Sequence, residues 1–127
     1  MMTRVVYDAG ALVAAERNDR RMWAEHRVRL ELGLSVVVPA PVVAQVSRSP
    51  RQVQLRRLLA GCEVVEFDEA SAHAAGRLLA SAKTNDVVDA TVVELAIRRR
   101  ADIVTSDMHD LSRLASAAGA RLRIIEI

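Results

Sequence analysis

The strongest constraint on the fold is an alternation: short β-branched runs are separated by longer segments of helical period. Thr3–Asp8, Ser35–Val38, Glu63–Phe67, Asp102–Thr105 and Leu122–Glu126 read as strands. Ala9–Glu16, Asp19–Leu32, Pro41–Ser47, Arg51–Ala60, Glu69–Ala82, Asp86–Arg100 and Leu111–Ala118 read as helices. Pro41 suits a first helical turn, Asp68, Asn85 and Asp107 suit N-caps, and Gly61 and Gly119 suit helix ends. Strands separated by helices are joined by crossovers, not hairpins. This predicts a three-layer α/β/α sandwich around a central, mostly parallel sheet. At 127 residues, one such core spanning 1–127 is expected as a single domain.

Composition removes several classes of function. Aromatic residues are 2% of the chain (Tyr7, Trp23, Phe67), too few for a surface that stacks nucleic-acid bases. The single cysteine, Cys62, closes no internal disulfide, and no Cys/His spacing for structural zinc is present, which fits a reducing compartment. The longest uncharged stretch, Leu32–Ser47, contains Pro39 and Pro41 and is shorter than the roughly 20 residues a membrane helix needs. Met-Met-Thr-Arg leads straight into a strand-like run without the design of a signal peptide, so no membrane partner and a cytoplasmic location are expected. Net charge is only +2, and 17 of the 18 basic residues are arginine, the side chain that best matches phosphate and carboxylate. Genome nucleotide bias produces the same arginine usage. The five glycines form no P-loop or dinucleotide fingerprint, and no serine-hydrolase elbow occurs.

In parallel α/β sheets ligands bind beyond the carboxyl ends of the strands. Acids collect at those positions. Asp8 ends the first strand, Asp107 follows the fourth in Thr105-Ser106-Asp107, and Asp86 and Asp89 head the helix that feeds that strand. Asp86 and Asp89 are three apart and share a helix face, continued by the apolar stripe Ala90, Val93 and Ile97. Each acid has a plainer reading: Asp107 as an N-cap with Asp110 three later, Asp86 and Asp89 as complements of a helix dipole. Their joint placement favours a site. Two like charges about 4 Å apart repel by roughly 4 kcal/mol at an effective dielectric near 20. Such a cluster therefore binds a cation, pairs with arginine or retains protons. Oxygen ligands without His or Cys select a hard ion, Mg²⁺ with Mn²⁺ as the alternative, and phosphoryl hydrolysis is the matching chemistry.

The segments Tyr7-Asp8-Ala9-Gly10-Ala11-Leu12, Asp86-Val87-Val88-Asp89-Ala90 and Val104-Thr105-Ser106-Asp107, the last aspartate eighteen residues after Asp89, resemble those of the PIN-domain nucleases. In length and layout the whole chain is similar to the VapC-type toxin ribonucleases of bacterial toxin–antitoxin systems. The resemblance implies that Asp8, Asp89 and Asp107 are catalytic and hold Mg²⁺, with Asp86 as a further ligand. It also implies water attack on an RNA phosphodiester, leaving 5′-phosphate and 3′-hydroxyl ends. Implied partners are the RNA substrate, a small antitoxin protein and a second copy in a homodimer. Gln45, Thr105, Ser106, Arg48 and Arg51 are the candidate substrate contacts.

The chain departs from the family pattern twice. Gln45 occupies the position where the family places a glutamate, which removes one negative charge. A catalytically weak or inactive RNA- or partner-binding module is therefore the alternative reading. His109 stands where another acid is common, with Asp110 beside it. Trp23, with Met22, Val28 and Leu32, belongs to an amphipathic helix that packs in the core or forms part of an antitoxin groove. A receiver-like phosphoacceptor domain does not fit, because Asp8 is the only acid in its turn and Lys83 precedes a helix.

Overall fold

A computed structural model describes residues 4–127. Thr3, the expected start of the first strand, and the Met1-Met2-Thr3 leader lie outside the described residues. Five strands, β1 (Arg4–Tyr7), β2 (Ser35–Pro39), β3 (Glu63–Val65), β4 (Asp102–Thr105) and β5 (Ile124–Glu126), form one sheet in the order β3-β2-β1-β4-β5. Every pairing is parallel. Seven helices join them: α1 (Ala9–Glu16), α2 (Arg20–Glu31), α3 (Ala40–Val46), α4 (Val53–Ala60), α5 (Glu69–Ala82), α6 (Val87–Arg99) and α7 (Met108–Ala117). The α/β sandwich expected from the alternation is the observed architecture.

The strands form because their side chains have nowhere wet to go. Val5, Val6 and Tyr7 in β1, Val36–Val38 in β2 and Ile103 and Val104 in β4 are all buried, the continuous apolar run typical of a sheet covered on both faces. Helix α6 is more buried than its stripe suggested. Asp89 through Val93, Leu95 and Ala96 are all enclosed, while Ile97, expected inside, is exposed. The reason is geometric: α6 touches β1, β2 and β4 and also packs on α5 and α7, so most of its circumference is covered. On α2, the Tyr7 hydroxyl donates to His26 Nδ1 at 2.8 Å and accepts from Arg29 Nη1 at 3.1 Å. Burial holds the His26 pKa below its ordinary value, consistent with a neutral acceptor ring.

Helix ends follow local chemistry, with three departures from expectation. Asp68 caps α5 by accepting from Ser71 N at 2.8 Å, and Pro41 sits in the first turn of α3. The cap of α6 is Asp86 in place of Asn85, accepting from Asp89 N at 3.0 Å. Helix α7 starts at Met108, one turn before Leu111, and Asp107 precedes it without making a side-chain cap bond. The edge strands β3 and β5 are shorter than their apolar runs, because each is paired on one side only.

The strand order fixes where a site is possible. From β1 the chain runs outward through β2 and β3, then crosses back to β4 and β5 on the other side. The direction of winding thus reverses between β1 and β4, and the crevice beyond their carboxyl ends is the place where such sheets bind ligands.

Candidate metal centre

Asp8 leaves the end of β1 directly into that crevice, and its backbone N–H donates to Val104 O in the neighbouring strand at 3.0 Å. The side chain is 4% exposed. Its Oδ1 accepts from Ala9 N at 2.7 Å and its Oδ2 accepts from the Thr105 hydroxyl at 2.8 Å. The same hydroxyl oxygen accepts from Asp107 N at 2.8 Å. Thr105 is thus the tie between the two acid-bearing strand ends. It is 0% exposed, so the expected substrate contact is corrected to a buried support beneath the acids.

Gly10 makes the same junction sterically. A Cβ there would meet Ser106 Oγ and lie 2.8 Å from Ser106 N, so only glycine lets the first turn of α1 approach the β4–α7 loop this closely. Ser106 itself is exposed at this contact. Replacing Thr105 by valine keeps the shape but strips a donor from buried Asp8. We expect Thr105→Val to lower stability by about 1–3 kcal/mol in denaturant melts. Melts indistinguishable from wild type would refute the role.

Three carboxylates converge beside this pair. Asp89, Asp107 and Asp110 each offer an oxygen within 4.8 Å of those of the other two. Asp89 and Asp107, expected together with Asp8, are joined in this group by Asp110. Both Asp8 oxygens are tied down by Ala9 and Thr105, whereas the Asp107 carboxylate is turned toward Asp110. Asp8 still acts on both Asp89 and Asp107 through its charge. Asp86 is exposed and occupied as the α6 cap, yet it is the nearest-acting charge on Asp89. Spacing carried a signal for Asp110, since Asp107 and Asp110 are three apart at a helix start and share a face.

The electrostatics are those of an incomplete site. Asp89 is 9% exposed. Burial first, then the charges of Asp86, Asp8, Asp107 and Asp110, push its pKa up to about 7. Burial and Asp110 raise the Asp107 pKa as well. The N-termini of α1, α6 and α7 open here, and their positive dipole ends offset only part of the repulsion. An all-oxygen set of crowded carboxylates, Asp89 enclosed and Asp107 and Asp110 exposed, fits a hard divalent cation.

The remaining candidates lie outside this grouping. Gln45 is exposed on α3, a helix that touches α1 and α6, and it makes no hydrogen bond among the described residues. Arg48 donates to Ala44 O at 3.0 Å and Ser47 O at 2.9 Å, so its guanidinium closes the end of α3. Arg51 and His109 are exposed. Trp23 is half-buried, donates to Ala15 O at 3.0 Å and carries the Arg57 guanidinium 4.8 Å above its ring. It lines a surface cavity of about 550 Å³ with Arg20, Arg27 and His26. The Cys62 thiol is pushed up to about 12 by burial, so it is an inert thiol.

Comparison with known proteins agrees with this fold. Among solved structures, VapBC2 from Rickettsia felis bound to a promoter DNA fragment superposes with a TM-score of 0.72 at 17% identity, covering 98% of both chains. DNA-bound VapBC from Salmonella typhimurium gives 0.69 at 17% identity, again with 98% of each chain covered. A toxin–antitoxin complex from Klebsiella pneumoniae gives 0.67 at 15% identity, with 85% of this chain and 90% of that one covered. No curated protein matches by sequence. The sequence signature described as PIN domain spans residues 5–117, from the first strand through the acids to the end of α7, and the chain therefore belongs to the PIN domain family.

Proposed function

We propose that this protein is a divalent-metal-dependent endoribonuclease, the toxin of a toxin–antitoxin pair. The observation that carries the reading is the convergence of Asp89, Asp107 and Asp110 within 4.8 Å of one another beside buried Asp8. When bound, Mg²⁺ or Mn²⁺ supplies Lewis acidity toward a phosphoryl oxygen and a lowered pKa for water. Asp89, Asp107 and Asp110 hold the ion, with Asp8 adding negative charge from behind and Asp86 from the lip. Thr105 fixes the orientation of Asp8 and the height of the Asp107 backbone. Gln45, Ser106 and Arg51 are left as contacts for the RNA around the cluster.

The solved relatives are VapBC and toxin–antitoxin complexes, which supports a small antitoxin as the restraining partner; a homodimer as the working form is part of the same proposal. An antitoxin cation inserted among the acids is the arginine-pairing answer to their repulsion. Among the described residues no helix is long and apolar enough to cross a membrane, which is compatible with action in the cytoplasm. The catalytically silent alternative rested on the charge lost at Gln45. Asp110 supplies an acid inside the grouping and weakens that argument.

The direct test is incubation of the purified protein with a mixed single-stranded RNA and Mg²⁺ or Mn²⁺. Fragments with 5′-phosphate ends are expected, and EDTA is expected to stop their formation. If both metals leave the RNA intact while Gln45→Glu cleaves it, the silent-module reading replaces this one.

A further inference from the structure

The cleft beside the carboxylates does not end at the acids. Its volume is about 260 Å³, and its wall includes Arg113 on α7 together with Asp86, Asp89 and Asp110. A second groove of about 410 Å³ adjoins it, sharing Ala82 and Arg113 and passing Ser81, His109, Ser112 and Ser116. Arg113 is thus the hinge point between an acidic cleft and a groove lined by hydroxyls and an imidazole. It is the only arginine or lysine lining either of them.

What marks this arginine is the pairing it does not make. Asp110 precedes Arg113 by three residues on the same helix, the spacing at which opposite charges ordinarily pair. Yet the ion pairs among the described residues are all made by other side chains. Arg113 is exposed on α7, with no ion pair to any of the acids that share its cleft. A guanidinium that shares a cleft with three acids without an ion pair to any of them presents its donors to something else. The ligand that needs a cation-holding cluster and a guanidinium side by side is a polyanionic strand, with one phosphate at the cluster and the next on the planar fork. Serine hydroxyls and an imidazole are common contacts to the sugar–phosphate backbone, which suits the adjoining groove to the continuation of the strand.

We propose that Arg113 is a phosphate-binding residue that positions single-stranded RNA, and that the strand leaves the acidic cleft along the groove between α5 and α7. The proposal rests on the nuclease reading for the choice of RNA. It adds a direction of travel and a residue outside the family's acidic motif.

The test compares wild type, Arg113→Ala and Arg113→Lys in two assays. With Mn²⁺ and a defined single-stranded RNA, Arg113→Ala is expected to raise KM about tenfold or more while kcat changes less, and Arg113→Lys to recover part of the loss. In an Asp89→Asn background, anisotropy of a labelled twelve-nucleotide RNA is expected to show the same loss of affinity. The slope of log affinity against log salt should become shallower by about 0.7, one phosphate contact on a single strand.

If wild type cleaves and Arg113→Ala matches it in KM and salt slope, the inference fails and the nuclease reading stands. If wild type does not cleave but the anisotropy loss appears, the nuclease reading fails and the RNA path stands. Absence of RNA binding by the Asp89→Asn protein overturns the inference. So does an Arg113→Ala protein whose only change is tighter Mn²⁺ binding, because Arg113 would then act as a neutralising charge for the acids.

Discussion

Asp89→Asn is expected to lower RNA hydrolysis by about a hundredfold or more while leaving a folded protein. The position lies in the tightest carboxylate grouping, is 9% exposed, and feels every other acid of the site. Exchange for an amide keeps the volume and removes the charge, so the loss falls on cation binding and on chemistry that depends on it. Asp89 accepts no capping bond at its own helix start, since that bond is made by Asp86, and α6 retains its cap in the variant. Single-turnover cleavage together with a circular dichroism spectrum checks both halves. An unfolded variant would mean that the carboxylate is structural, and an active one would remove Asp89 from the site.

The same substitution is expected to stabilise the metal-free protein, increasingly so as pH rises. Asp89 has a folded-state pKa of about 7 against an ordinary 3.8, so the folded protein holds a proton that the unfolded chain has lost. A raised folded-state pKa contributes stability that is intact below the unfolded value and disappears as pH climbs through the folded one. The wild type therefore loses stability between about pH 4 and pH 7, and the variant, having no proton to lose, does not. A displacement of that size corresponds to at most ~4 kcal/mol. Comparing the two proteins cancels the opposite contribution of His26, whose depressed pKa favours folding as pH rises toward neutrality.

Saturating Mn²⁺ should close the gap at pH 8, because an ion that binds only the folded wild type adds about 2.7 kcal/mol at a hundred times its dissociation constant. Thermal melts of both proteins at pH 5 and pH 8, in EDTA and in Mn²⁺, carry the test. A gap that is constant with pH, or larger in Mn²⁺ than in EDTA, contradicts the electrostatic account.

Much of the fold was legible because hydrophobic period is a local property. Val36–Val38 and Ile103–Val104 announce buried parallel strands, and α1 and α5 fall within the expected bounds. Errors concentrate where a boundary depends on a partner. β3 stops two residues early and β5 starts two residues late, each an edge strand paired on one side only, and α7 starts at Met108, three residues before Leu111. The strand order was not legible, since it depends on which faces pack together.

At the site, Asp8, Asp89 and Asp107 stood out by their place at strand and helix ends. Asp110 was visible but ambiguous, because three-residue spacing at a helix start serves a cap as readily as a cluster. Thr105 could not be read as a support from sequence alone. Its role exists only through a hydroxyl that accepts from one strand end and donates to the other. Arg48 likewise looks like a phosphate ligand until the chain folds back and offers it the carbonyls of α3.

The bond between Thr105 and Asp8 joins positions 97 residues apart. β1 is made well before its neighbour β4, with β2 and β3 between them in the chain. Until that strand docks, Asp8 lacks its hydroxyl donor and Asp107 and Asp110 have no place to converge. In a growing chain the acid grouping therefore assembles only after β4 and α7 have both been made and have docked beside β1.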